Sequence, residues 1–161
     1  MKNILTLNEI IEVRKKLKAE NKKVVFTNGV FDLMHAGHVD YLTKAKLLGD
    51  VLIVAVNSDS SVRKIKGNLR PITGQDERTF VLASLKPVDY VIIFDEDTPQ
   101  NVIEKLIPDV LVKGADWSKD EIVGKEIVEA AGGKVETIEF VHKQSTSNII
   151  DTILKKFKNN G

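Results

Sequence analysis

His35 and His38 stand three residues apart in "VVFTNGVFDLMHAGHVDYL", directly after a run rich in β-branched residues. Imidazoles at that spacing suit three kinds of chemistry: holding zinc, acting as the base of a nucleophile, or donating hydrogen bonds to phosphate oxygens. Zinc needs at least a third ligand, and only His142 and scattered carboxylates are left to supply one. A serine nucleophile on a strained turn would read G-x-S-x-G, a pattern the chain lacks. Phosphate fits better. Asn28, Gly29, Phe31, Asp32 and Gly37 surround the pair, and the two glycines let backbone approach a ligand closely. A helix starting beside the histidines would add unpaired N–H groups and a positive dipole end. The chain has neither a P-loop nor a G-x-G-x-x-G run, so such a cradle is of another kind.

The surroundings of this segment must position it. The chain has 161 residues, enough for one domain with a sizeable core, and a single domain is expected. Its 24 basic and 23 acidic side chains leave a formal charge of +1, so no global field steers it to nucleic acid and any anion site is local. Without cysteine there are no disulfides and no thiolate-held metals. The first residues lack the pattern of a signal peptide, and no apolar run reaches the ~20 residues of a membrane span. A cytoplasmic protein is expected, with no nucleic-acid or membrane partner.

Thr6-Leu7-Asn8-Glu9 has the form of a helix capping box, and Ile10, Ile11, Val13 and Leu17 continue it as an apolar stripe over about 7–20. Strands are expected at Val24–Thr27, Val51–Val56, Tyr90–Phe94 and Asp109–Gly114, with "KVETIEF" as an alternating edge strand. Helical spacing covers 39–48, about 75–85, Pro99 to Leu106, 121–131 and 146–157. The segment between Val56 and Gln75, with Gly67 and Pro71, reads as a charged loop. Strands alternating with helices through short connections predict an α/β fold: a doubly wound parallel sheet of about five strands, its core over about 23–155. Ligands then sit beyond the carboxyl ends of the strands.

The stretch "TNGVFDLMHAGH" resembles the signature of the cytidylyltransferase-like nucleotidyltransferases, roughly G-x-F-D-x-x-H-x-G-H. "VRKIKG", "QDERTFVLASL", "VKGADW" and "QSTSN" agree with that family in order. Together with "VAVNSD" and "DEDTP", they most resemble the branch that adenylylates heptose 1-phosphate. The implied fold is Rossmann-like. The implied reaction is in-line attack by a sugar-phosphate oxygen on the α-phosphorus of ATP, with pyrophosphate leaving and Mg²⁺ accompanying the triphosphate. Cytidylyl transfer to glycerol 3-phosphate, an FAD synthetase-like reaction and a non-catalytic nucleotide-binding module are the alternatives.

By the same resemblance, His35, His38, Lys66 and Arg78 are the catalytic residues. Thr27, Asn28, Gly29, Phe31, Asp32 and Gly37 belong to the nucleotide site. Lys64 offsets phosphate charge beside Lys66, both from a mobile lysine-rich loop. Lys113, Gly114, Asp116 and Trp117 lie near the nucleoside. Ser145, Thr146 and Ser147 open the last helix against phosphate. Asp32 is open to three roles: fixing the loop, contacting substrate, or helping to hold Mg²⁺. Asn57 and Asp59 are expected on the sugar-phosphate side. ATP and a sugar 1-phosphate are the implied ligands, and a homodimer the implied assembly.

Overall fold

The computed structural model describes residues 3–115, 118, 121–139 and 145–158. Six strands form one parallel sheet: β1 (Ile4–Leu5), β2 (Val24–Gly29), β3 (Val51–Asn57), β4 (Tyr90–Phe94), β5 (Val110–Gly114) and β6 (Lys134–Ile138). Their order is β1-β4-β3-β2-β5-β6. The expected doubly wound sheet is present with one more strand than the pattern suggested. β1 was hidden because two residues show no periodicity; it pairs Ile4 with Val91 and Leu5 with Ile92 at the sheet edge.

Side-chain alternation along the strands divides the core into two layers. Leu52, Val54 and Val56 of β3 face one side with Val25 and Val91, where α2 (Ala36–Lys46) and α4 (Gln75–Ala83) cover them through Tyr41, Leu42, Ala45 and Leu82. Ile53 and Ala55 face the other side with Phe26, Ile92 and Leu111. There α1 (Leu7–Ala19), α5 (Gln100–Leu106) and α6 (Lys125–Ala130) supply Ile10, Val102, Ile103, Leu106 and Val128. Both faces of the central strands are therefore apolar, as parallel strands require.

The capping box closes as the sequence indicates: Glu9 N–H donates to Thr6 Oγ1 at 3.3 Å and Thr6 N–H to Glu9 Oε2 at 2.7 Å. Between Val56 and Gln75 the structure departs from the expected loop. Asp59–Lys66 is a helix, α3, with Ser58 Oγ accepting from Ser61 N–H as its cap. Arg63, Lys64 and Lys66 thus occupy a helical last turn, where cations complement the dipole. The last helix, α7 (Thr146–Lys158), buries none of its residues.

The winding reverses beside β2. From β2 the chain builds outward through β3 and β4, then crosses to β5 on the other flank. The carboxyl ends of β2 and β5 therefore diverge into a crevice, and the histidine segment lies directly after β2.

Candidate active site

β2 ends at Asn28 and Gly29, and residues 30–35 turn the chain into α2. Phe31 sits in the left-handed region at φ +49°, an uncommon conformation for a residue carrying Cβ. Its ring is folded back over Gly29, where an added Cβ would lie 3.0 Å from it. Phe31 also meets His38, ring centroids 5.4 Å apart, and His38 stacks on His35 at 3.9 Å. His35 is the N-cap residue of α2 but makes no side-chain cap bond, and Gly37 is buried in the first turn. Both imidazoles are thus held together at a helix start whose N–H groups are not closed by a side chain.

That packing has an electrostatic cost. Burial, and secondarily the neighbouring His35, push the His38 pKa down to about 4. His38 is therefore neutral at pH 7, and its buried Nδ1 finds no hydrogen-bond partner among the described residues. An arriving anion would stabilise the protonated form that burial disfavours.

Two buried charges hold the loop in place. Asp32, its side chain fully buried, accepts from Ile72 N–H at 2.9 Å, Thr73 N–H at 2.9 Å and Arg70 Nε at 2.5 Å. Burial raises its pKa, but the backbone N–H groups of Thr73 and Ile72 and the Arg70 guanidinium together outweigh burial and hold it below the usual carboxylate value. Of the three roles open to Asp32, the geometry supports fixing the loop. Arg78 is the opposite charge. It donates through Nε to Thr73 O at 3.0 Å, through Nη1 to Val30 O at 2.6 Å, and through Nη2 to Asn57 O at 2.8 Å and Asp59 Oδ1 at 2.7 Å. Its side chain is 0% exposed. Arg78 therefore departs from the expected phosphate ligand: each guanidinium nitrogen already has an internal acceptor, and it acts as a positioning residue.

Thr27 likewise turns inward, sharing a 2.7 Å hydrogen bond with the Tyr41 hydroxyl of α2 instead of facing a ligand. Asp59 pairs with Arg78, and Asn57 donates through Nδ2 to Ser61 Oγ at 3.0 Å. A cavity of about 380 Å³ opens at the crevice, lined by Asn28, Asn57, Lys66, Asp97 and Lys113 among others; His35 and His38 are not among its lining residues. Lys113 donates to Asn28 Oδ1, bridging the ends of β5 and β2. Gly114 ends β5 beside it and is buried. Lys66 reaches this cavity from the end of α3, while Lys64 points to Asp97 at 3.9 Å, both side chains largely exposed. Ser145 Oγ accepts from Asn148 N–H at 3.1 Å, so it caps α7; Thr146 and Ser147 form that helix's first turn. Asp116 and Trp117 lie outside the described residues.

Arg70, Thr73 and Tyr41 are site supports that the pattern did not reveal. Their partners lie 38, 41 and 14 residues away in sequence.

Two outcomes follow. Arg78→Ala leaves Asp59 and three carbonyls without their donor and is expected to lower unfolding free energy by about 3–5 kcal/mol; Arg78→Lys recovers only part, because an ammonium lacks the planar fork. Urea unfolding measures both, and an unchanged midpoint with weakened nucleotide binding would restore a direct phosphate role. His38 gives a pH signature. Unfolded, it takes a proton near pH 6.5; folded, only near about 4. Protons thus favour the unfolded chain as pH falls through that window. Compared with His38→Gln, the native protein should lose roughly 1–3 kcal/mol more stability between pH 6.5 and 4. Parallel stability profiles would contradict the buried neutral imidazole.

Comparison with known proteins agrees with this geometry. The family described as Cytidylyltransferase-like matches residues 26–157. The chain is 54% identical over 157 residues to the "Bifunctional protein HldE" of Geobacter sulfurreducens, covering 98% of this chain and 31% of that protein. The protein of the same name from Campylobacter concisus is 54% identical over 153 residues, with 95% and 30% covered. The chain thus spans about a third of the length of these relatives. Among solved structures, a lipopolysaccharide core biosynthesis protein from Thermoplasma volcanium superposes with a TM-score of 0.62 at 31% identity, over 76% of this chain and 99% of that one. A pantoate-beta-alanine ligase from Francisella tularensis shares the fold, with a TM-score of 0.63 at 16% identity over 90% of this chain and 69% of that one. With a signature loop, a switch-point crevice and a family match over most of its length, the chain belongs to the cytidylyltransferase-like family.

Proposed function

We propose that this domain is a nucleotidyltransferase that moves AMP from ATP to heptose 1-phosphate, forming ADP-heptose and releasing pyrophosphate. The observation that carries this reading is the stacked His35–His38 pair at the start of α2, on the segment that directly follows β2 at the carboxyl edge of the sheet. The HldE relatives and the motif blocks "VAVNSD", "DEDTP" and "LVKGADW" support the adenylyl and heptose assignment over glycerol-phosphate or flavin chemistry.

In this reaction an oxygen of the sugar phosphate bonds to the α-phosphorus while the bond to the bridging oxygen of the β-phosphate breaks. Pyrophosphate leaves with that electron pair. The attacking phosphate is already ionised, so no strong base is needed, and the protein contributes alignment and charge stabilisation. His35 and His38 donate to the phosphate oxygens on which negative charge grows. Lys66 and Lys113 line the cavity that receives the acceptor phosphate. Asn28 fixes Lys113 by its hydrogen bond, so that ammonium is preoriented.

Among the described residues no group of three or more His, Cys, Asp or Glu could hold a metal ion, and both Asp32 oxygens are engaged. Mg²⁺ accordingly fits as the companion of the triphosphate, ligated mainly by phosphate oxygens and water, and supplies charge neutralisation there. The Ser145–Ser147 turn would add N–H and hydroxyl donors toward phosphate. Asp116 and Trp117 complete the proposed nucleoside side. No helix among the described residues is long and apolar enough to cross a membrane; a cytoplasmic homodimer is part of the same proposal.

Pyrophosphate release measured with the four nucleoside triphosphates against a panel of sugar phosphates and glycerol 3-phosphate tests the substrates. Turnover is expected with ATP and heptose 1-phosphate; preference for CTP with glycerol 3-phosphate would move the chain to another branch. His35→Ala and His38→Ala should each lower kcat by ~10²–10³ while the protein stays folded. Full turnover in either folded variant would remove the histidines from the chemistry.

A further inference from the structure

At the other end of the sheet, where the parallel strands begin, lies a cavity of about 350 Å³. It is lined by Arg14, Lys18, Lys22, Lys23 and Lys134, with Asp109 as the one acidic side chain. These cations come from α1, the turn after it, and the start of β6, so three separate parts of the chain converge. Lysines in the last turn of α1 are accounted for by its dipole; Lys22, Lys23 and Lys134 are not.

Asp109 does not neutralise the group. Its Oδ1 accepts from Arg14 Nη2 at 3.0 Å and its Oδ2 from Val24 N–H at 2.7 Å, so both oxygens are engaged. Arg14, with a side chain 9% exposed, is further fixed by donating to Leu106 O at 3.3 Å and Ile107 O at 3.0 Å. Those bonds use Nε and Nη2, while Nη1 takes no acceptor among the described residues. No ion pair among the described residues uses Lys18, Lys22, Lys23 or Lys134. In a chain of net charge +1, four lysines without counter-ions around a fixed guanidinium form a concentrated local field.

We propose that this cavity is a second anion site, taking a small phosphate-bearing polyanion the size of a sugar phosphate or nucleoside diphosphate. The fixed guanidinium supplies directional donors, and the mobile ammonium groups close around the remaining oxygens. A cavity of about 350 Å³, at the lower end of the range of small-molecule pockets, matches a compact ligand better than a nucleic acid. The site is separate from the histidine crevice, because β2 and β5 run from one to the other.

Backbone amide NMR with inorganic pyrophosphate as the probe tests the site directly. Saturable shifts are expected at Asn21, Lys22, Lys23, Gly132 and Lys134. The double variant Lys22→Glu, Lys134→Glu should weaken that response by at least about tenfold. In the same spectra, the response of Gly29 and Gly37 should be unchanged, and so should turnover, since neither lysine belongs to the crevice. Non-saturating shifts at residues 21–23 and 132–134, or the same affinity in the double variant, would overturn the proposal. Shifts produced by a single-stranded oligonucleotide but not by pyrophosphate would overturn it in favour of a nucleic-acid surface.

Discussion

A single buried guanidinium sets the shape of the crevice. Arg78 reaches Val30 in the histidine loop, Asn57 at the end of β3, Thr73 before α4 and Asp59 at the start of α3. Backbone carbonyls at strand ends and loops have no sheet or helix partner, and burying them unsatisfied costs roughly 1–3 kcal/mol each. One planar cation satisfies three of them and an Asp carboxylate together, which a lysine's point charge would not do. Asp32 braces the same loop from the opposite polarity by gathering the N–H groups of Ile72 and Thr73. The loop is therefore held from both sides by α4 and the segment before it. That is why Phe31 can stay at φ +49° without relaxing.

From this rigidity follows the electrostatic state of the site. A loop free to move would let His35 and His38 separate and hydrate; held, they stack at 3.9 Å with His38 largely desolvated. The adjacent His35 adds to the burial that disfavours a proton on His38. Lys66 and Lys113 line the cavity beside the carboxyl ends of β2 and β3, apart from the histidine pair.

The frame was legible because it depends on local pattern. Continuous apolar runs at 51–56 and 90–94 mark strands buried on both faces, and the Thr6–Glu9 box marks a helix start. The HAGH turn was legible for the same reason, since a strand, a short glycine-bearing turn and a helix follow one another within one local stretch. Roles that depend on distant partners were not. Arg78 and Val30 are 48 residues apart, Asp32 and Ile72 40 apart, and nothing near either residue names its partner. The lysine segment was misread for a different reason. Gly67 and Pro71 signalled a loop, but the Ser58 cap starts α3 eight residues earlier in the same charged stretch, and Val62 is buried beneath it.

Arg14 makes a useful contrast with Arg78, because both are guanidiniums buried at an end of the sheet. Each gives its Nη2 to a backbone carbonyl and to an aspartate, Asp109 in one case and Asp59 in the other. At Arg78 all three nitrogens have acceptors within the chain and the side chain is 0% exposed. At Arg14 one nitrogen has no acceptor among the described residues, and the lysines beside it have no counter-ion among them. A buried charge needs enough partners to offset its desolvation, and a residue that keeps a donor in reserve is stable only where solvent or a ligand can meet it. The same fold thus uses one arginine purely as a brace around the histidine crevice, and another as a brace that still presents a donor to an anion at the opposite end.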